Sequence, residues 1–372
     1  MLAETLHAVE GLGLQDPRDS DLLHPDPFRP DPDSSDPFHS DPSRTRLPLC
    51  GYRLKLTALS LSAHLSLRQL LGQPVLMELH TAHSRTDLRP FHGHVTACTL
   101  LGANGGMARY RLVIEPWLAF LHHRTDSTTY QDMSVIDIVE AVFADYRHQG
   151  KLNPAWRLDL ADPSVYPKRS LTTLHEETDL AFVERLLLEE GLFAWFEHDS
   201  DIASPSLGSH TLVIADHNRA FAANVQAHIR FTQAGAVLPE DSIDRWQIAR
   251  RWQTNAIELA SWDYRTLSHR TVSIPGTGGH SSDAMRLASS DVPGVYAYED
   301  RAQGERLALC QMQAMEARNE VFTAAGTVRT AASGTTFVLH DHAGHEASQS
   351  EDERTFVMLQ VVHVARNNLH PS

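Results

Sequence analysis

Residues 91–116, FHGHVTACTLLGANGGMARYRLVIEP, carry the strongest constraint in this 372-residue chain. Two alternating runs flank Asn104-Gly105-Gly106, residues that tolerate the positive φ angles of a tight turn, so the segment reads as a β-hairpin. In its second run Tyr110, Leu112 and Ile114 share one face, with Arg109, Arg111 and Glu115 on the other.

The period then changes. Over QDMSVIDIVEAVFADYRHQG (131–150), Val135, Ile138, Val139, Val142, Phe143 and Tyr146 recur at helical spacing and make one amphipathic stripe. Ser134 is its expected N-cap, and Gly150 lies beyond its end. A second helix fits TDLAFVERLLLEEG (178–191), opened by Thr178 and closed by Gly191. The short aromatic run LFAWFEH (192–198) is expected to be a strand packed back on that helix.

The rest is mainly strands, at 211–215, 243–250, 255–265, 321–329, 335–340 and 355–366, with one helix at roughly 302–318. The last strand, TFVMLQVVHVAR, is apolar on both faces and is expected to be central and buried. Residues 266–294, which contain Pro275-Gly276-Thr277-Gly278-Gly279, are expected to be a long flexible loop. No short-period repeat is visible. The pattern as a whole predicts a β-rich α+β fold with two sheet systems. The length exceeds what one core organises, which favours two domains.

The N-terminal part differs. Residues 15–48 are dense in Asp-Pro and Ser-Pro steps and poor in aliphatics, so residues 1–48 are expected to be a disordered extension. A net charge of −15, without a run of Lys and Arg, argues against nucleic acid and anionic lipid as partners. Cys50, Cys98 and Cys310 are odd in number and form no CxxC motif, which favours a reducing compartment. Neither a secretory signal nor an apolar stretch near the roughly 20 residues of a bilayer span is present. Export of this chain would need a machine.

Several blocks, taken in order, resemble one family. They are 91–146 (Phe-x-Gly, hairpin, Tyr-Arg-Leu, Pro-Trp-Leu, then a helix after Tyr-Gln-Asp), 175–198 (HEETDLAFVERLLLEEGLFAWFEH) and 210–217 (HTLVIADH). SIDRWQIARRW with ELASWDYR (242–265) and TFVMLQVVHVARNN (355–368) complete the set. From about residue 49 to 368 the chain is similar to the N-terminal hub of VgrG, the type VI secretion spike protein, and to the baseplate hub of contractile phage tails.

The resemblance implies two related β-barrel domains joined by helical segments, with a first barrel at 49–120, a helical connection at 121–170 and a second barrel with helices at 171–372, whose strands can interleave with the first. It implies a homotrimer whose six barrels match an Hcp-like hexameric tube protein, with a needle domain, baseplate and effector proteins as further partners. It also implies assembly in the cytoplasm followed by secretion through the contractile machine, with no direct membrane insertion by this region. The chain stops at Ser372, where the family continues into an OB-fold and a β-helical needle, so membrane puncture is not assigned to these residues.

The candidate chemistry is weaker than the bland readings. His340-Asp341-His342-Ala343-Gly344-His345-Glu346 offers imidazoles and carboxylates close together but matches no HExxH pattern. His92-Gly93-His94 and His122-His123 are discounted on the argument that alternate strand residues point to opposite faces. Glu189-Glu190 diverge by about 100° on a helix and are expected to be a solvated helix end. Glu176-Glu177 and Asp199/Asp201 are the other carboxylate pairs, and glycosidase-type acid/base work would need two carboxyls facing each other across a cleft. Trp195, Phe196, Trp246, Trp252 and Trp262 are expected in sheet cores. No catalytic, cofactor-binding or metal residue is assigned, and the expectation is a structural protein, not an enzyme. The alternatives are a contractile phage tail baseplate hub and a metal-dependent hydrolase using the His340–His345 loop.

Overall fold

The computed structural model describes residues 1–12, 51–82, 86, 88–104, 106–232, 240–277, 285–345 and 350–367. The chain begins with β1 (Leu2–Gly11), β2 (Tyr52–Ser60), α1 (Leu67–Leu70), β3 (Pro74–Leu79), β4 (Arg89–Asn104) and β5 (Met107–Glu115). A 3-10 segment at Trp117–His123 leads to β6 (Thr125–Tyr130), α2 (Val135–Ala144), β7 (Ala155–Asp159), β8 (Thr172–Thr178) and α3 (Asp179–Glu189). Next come β9 (Phe193–Ser200), β10 (Gly208–Ala215), β11 (Ala222–Arg230), β12 (Ile243–Arg250), β13 (Ala256–Asp263), β14 (Ser268–Pro275) and β15 (Ala288–Val295). α4 (Arg301–Glu316), β16 (Glu320–Gly326), β17 (Thr335–His340), β18 (Thr355–Val357) and β19 (Gln360–Arg366) close the chain. The fold is the expected β-rich α+β class, with few helices and curled sheets.

The largest sheet has six strands in the order β19-β1-β2-β5-β4-β3. The hairpin read at 91–116 is its β4–β5 pair, and Tyr110, Leu112 and Ile114 do share the buried face. Leu112 and Ile114 of that face belong to the same buried cluster as residues of α2 and α3. Val135, Ile138, Val139, Val142 and Phe143 are buried, so the predicted helical stripe is the contact surface. Ser134 caps α2 in a reciprocal capping box with Asp137, and Thr178 caps α3 through the Ala181 amide. Gly191 follows α3 at φ +75, a left-handed angle that ends the helix, and a Cβ there would meet Cys310 at 2.8 Å. Leu212 and Ile214 of the β7-β10-β9 sheet join the same core.

The second half holds smaller sheets. β11-β17-β18 packs with the β12–β16 ribbon around Ile229, Ile243, Phe337 and Leu339. α4 lies on the β14-β13-β15 sheet and buries Tyr298, Ala308 and Met312 against Ile257, Leu259 and Val272.

Four expectations change. Residues 2–11 fall within the segment expected to be disordered, yet they form β1, between β2 and β19, with Leu6 and Ala8 buried. The rest of that segment, from residue 13 to 48, lies outside the described residues. The strand expected at 355–366 divides. Met358 donates to Thr335 O while the Leu359 carbonyl accepts from Leu12, so the chain passes from one sheet to another at that point. Its second half, β19, is an edge strand with Val362 and Val364 exposed, not a central one. Its apolarity on both faces reflects service to two sheets and an uncovered row. Finally, the loop expected at 266–294 contains β14 and β15, both paired to β13. The six-stranded sheet therefore takes strands from 2–11 and 360–366 as well as from 49–120.

Ser134→Ala is expected to cost about 1 kcal/mol through loss of the capping box. Phe143→Ala, which empties a fully buried site beside Trp117, is expected to cost roughly 3–5 kcal/mol. Urea unfolding of both variants measures the difference.

Candidate functional site

Two features organise the molecule, a buried polar joint where its sheets meet and an open cleft. The joint begins at Arg89, the first residue of β4. Its Nη2 pairs with Glu10 Oε1 at 2.6 Å, and both side chains are under 10% exposed. Its Nη1 donates to the carbonyls of Arg329 (3.1 Å) and Ala331 and lies 2.5 Å from His363 Nε2. Arg329 in turn forks onto Asp241, which ties the loop before β17 to the start of β12. Burial pushes the Glu10 carboxyl up and the guanidinium down, and their mutual attraction opposes both shifts. The Arg89 guanidinium also covers the Phe91 ring at 4.4 Å.

Beyond Phe91 lies a cluster of histidines. His92 and His94 both point into the same buried space, because residues two apart on a strand share a face. The argument that separated them in the sequence is thereby corrected. Gly93 between them leaves no room for a side chain, since a Cβ would meet Ile114 at 2.8 Å and the Glu115 carbonyl at 2.9 Å. The partners are His198 of β9 and His210 of β10, which no local sequence signal connects with β4.

The hydrogen bonds run one way. The Trp117 amide donates to His210 Nε2 (2.8 Å), so the His210 proton sits on Nδ1 and faces His92 Nδ1 at 2.8 Å. The His92 proton is then on Nε2, donated to the Ser206 carbonyl (2.7 Å). The His92 amide donates to His198 Nδ1 (3.1 Å), and Tyr52 donates to the His92 carbonyl (2.5 Å). His94 Nε2 reaches the Lys151 carbonyl at 3.3 Å, while its buried Nδ1 has no partner among the described residues. Desolvation holds all four imidazoles low, His94 at about 4 and His210 well below the ordinary value. The His198 side chain is only half-buried, but its ring is enclosed by Tyr52 and Phe91 near the Arg89 cation, and it is held down to about 3.

The sequence candidates fall elsewhere. His340 Nε2 lies 2.9 Å from His228 Nδ1, and Asp341 pairs with Arg230 at 2.8 Å. His342 and His345 turn instead into an aromatic cluster with Trp246. Glu346 lies outside the described residues. Among the described residues no group of three or more His, Cys, Asp or Glu has a metal-holding arrangement. His122 and His123 are exposed. Glu189 and Glu190 share Arg169 at 2.8 and 2.6 Å, but Glu190 is not the solvated helix end expected. It is buried and also pairs with Arg306 of α4. Glu177 pairs with Arg185 while Glu176, at φ +52, is exposed, and Asp199 and Asp201 are exposed. Trp195 and Phe196 are core residues as expected, whereas Trp252 is 66% exposed. Cys98 and Cys310 are free thiols, and Cys50 lies outside the described residues.

The cleft, of about 4210 Å³, lies between the outer face of β1 and β19, the β12–β16 ribbon and α4. Val9, Val362, Val364, Trp246, Phe322 and Met315 are among its walls. Small-molecule sites measure roughly 300–1,000 Å³, so a space of this size fits a macromolecule. Among the described residues no helix is long and apolar enough to cross a membrane.

The chain is thus a curled β-rich scaffold, joined by a polar seam and open along one side. Residues 50–369 match the phage tail baseplate hub (GPD) family, and the chain belongs to it. It is 28% identical over 293 residues to the type VI secretion system spike protein VgrG1b of Pseudomonas aeruginosa, covering 77% of this chain and 36% of that protein. The chain thus spans little more than a third of that relative's length. A component of the E. coli type VI secretion system, described as similar to T4 bacteriophage tail proteins, has the same fold. It aligns at a TM-score of 0.62 and 15% identity, over 99% of this chain and 70% of that one. The 43 kDa tail protein of prophage MuSo2 from Shewanella oneidensis aligns at 0.57 and 10% identity, over 98% and 91%.

Glu10→Leu strands a buried guanidinium and is expected to cost roughly 3–5 kcal/mol, while Glu10→Leu with Arg89→Met recovers only the part due to the unpaired charge, since the Arg329 and Ala331 carbonyls lose their donor. Urea midpoints of the two variants test this.

Proposed function

We propose that the chain is the structural hub of a type VI secretion spike, a homotrimer that adapts an Hcp-like hexameric tube to a needle and aids effector delivery. It acts by assembly, not turnover. It assembles in the cytoplasm and leaves with the contractile machine. Membership of the hub family and similarity to VgrG1b support the reading. The observation that carries it is the cleft, with Val362 and Val364 on an edge strand at its wall. An open strand edge with apolar residues is a template for another chain, and a second copy of this protein is the occupant that the family suggests. Two β-rich units per chain, repeated three times, would present six similar faces to a sixfold tube.

A phage tail baseplate hub is the second reading. The match of residues 50–369 to the phage tail baseplate hub family supports it. Co-purification with an Hcp-like tube protein, against a phage tube protein, separates the two.

Light scattering is expected to give a species of about 125 kDa, three times the 41.5 kDa of one chain. Val364→Asp with Val362→Asp, both on the exposed row, is expected to reduce it to a monomer with unchanged circular dichroism. A monomer at every concentration, or a trimer indifferent to both changes, would overturn the assignment of this surface.

A further inference from the structure

The histidine relay joins elements that are distant in the sequence and otherwise meet through the shared apolar core. His92 and His94 belong to β4 of the six-stranded sheet, His198 and His210 to the β7-β10-β9 sheet, and Trp117 to the turn between β5 and β6. At one end of the relay is a backbone N–H, which only donates. At the other is the Ser206 carbonyl, which only accepts. One arrangement of protons satisfies both ends, and in it each imidazole is neutral.

We propose that this relay is an acid-sensitive latch, which fastens the two sheets and the Trp117 turn while its imidazoles are neutral and releases them when protonated.

A second proton on His210 would set an N–H on Nε2 against the Trp117 N–H. A second proton on His92 would set Nδ1–H against the Nδ1–H of His210. Either change replaces an acceptor by a donor in a buried space, which opposes the closed state.

Among the described residues that face the relay, no carboxylate is free to balance the new charge. Of the groups facing the relay, Glu10 of β1 is bound to Arg89, and Glu115 of β5 is bound to Arg53 and Thr96. Arg89 itself repels an imidazolium, and His363 of β19 is another depressed imidazole in contact with it. Tyr52 of β2 is a neutral phenol whose proton is donated to the His92 carbonyl. Lys151 offers its carbonyl to His94, and its Nζ is taken by Gln73.

The sign follows. The relay histidines bind fewer protons in the closed state than in the open state, so opening takes up protons. The stabilisation is complete above about pH 6.5 and is lost as the pH falls towards about 4 and then about 3, the values for His94 and His198. Each imidazole that protonates on opening makes the opening constant rise roughly tenfold per pH unit within that window, so four would give roughly 10⁴-fold.

The test is hydrogen exchange of the full chain between pH 7 and 4, corrected for intrinsic rates, on peptides spanning 91–95, 116–121 and 208–215. These are expected to lose protection in acid before the α4 and β13–β15 unit does. His210→Gln keeps an acceptor for Trp117 and a donor for His92 but does not titrate. It is expected to move the opening to lower pH and to make it about tenfold shallower per pH unit. Identical curves for wild type and variant, or full protection of the joint down to pH 4, would refute the latch. If the variant fails to fold at neutral pH, ring-nitrogen NMR of the wild type decides. His92 and His210 titrating near 6.5 with the joint still protected would refute it, and neutral rings until the joint opens would support it.

Discussion

Arg89 fixes how distant parts of the chain meet. Its planar fork of five donors reaches Glu10 of β1, the carbonyls of Arg329 and Ala331 before β17, and His363 of β19, while its flat face covers Phe91. A lysine ammonium has neither the flat face nor the fork. Because these partners lie 79 to 274 residues away, no local element can form the node by itself. β1 and β19, from opposite ends of the described chain, are thereby locked side by side in one sheet. Burying such a pair gains little against apolar packing, but removing either partner leaves an uncompensated charge, so the node acts mainly through its directionality.

The histidines extend the same seam. Apolar packing of a sheet against its neighbour tolerates small slides, whereas a hydrogen-bonded relay with a donor at one end and an acceptor at the other has one solution. The seam and the apolar core therefore divide the labour. The α2 and α3 stripes bury their area in the core that the six-stranded sheet shares, and the Arg89–His92–His210 line sets how the β7-β10-β9 sheet meets that sheet.

This division explains what the sequence displayed. Helices α2 and α3 were legible because stripe and cap lie within one short window, Ser134 with Asp137 and Thr178 with Ala181. The β4–β5 hairpin was legible because its turn chemistry sits between its own strands. β1 escaped because its alternation in LAETLHAVEG is short and stands before the Asp/Pro-rich run, and its partners lie about 50 and 360 residues along. β14 escaped because its Thr, Val and Ile stand beside a glycine-rich stretch that reads as loop. The seam was hidden for a deeper reason. Glu190 reads as a solvated helix end until Arg306 arrives from α4, and nothing near His92 in the sequence points to the histidines that β9 and β10 bring to it. Charge and imidazole acquire their role from partners that only the tertiary fold supplies.

The uncovered edge follows from the same geometry. With β19 registered against β1 through His7↔Val364 and Val9↔Val362, alternation puts Val362 and Val364 on the outer row together with Val9. Turning them inward would take a one-residue slip, which would also carry His363 away from Arg89. The chain cannot hide those valines and keep its central node. Among the described residues nothing covers this apolar edge, a feature that soluble proteins ordinarily blunt with charge or cover. On the proposed reading the conflict has a resolution, because the edge that one copy cannot bury is the surface a second copy covers. The interaction that holds the protomer together then also dictates where it must be joined.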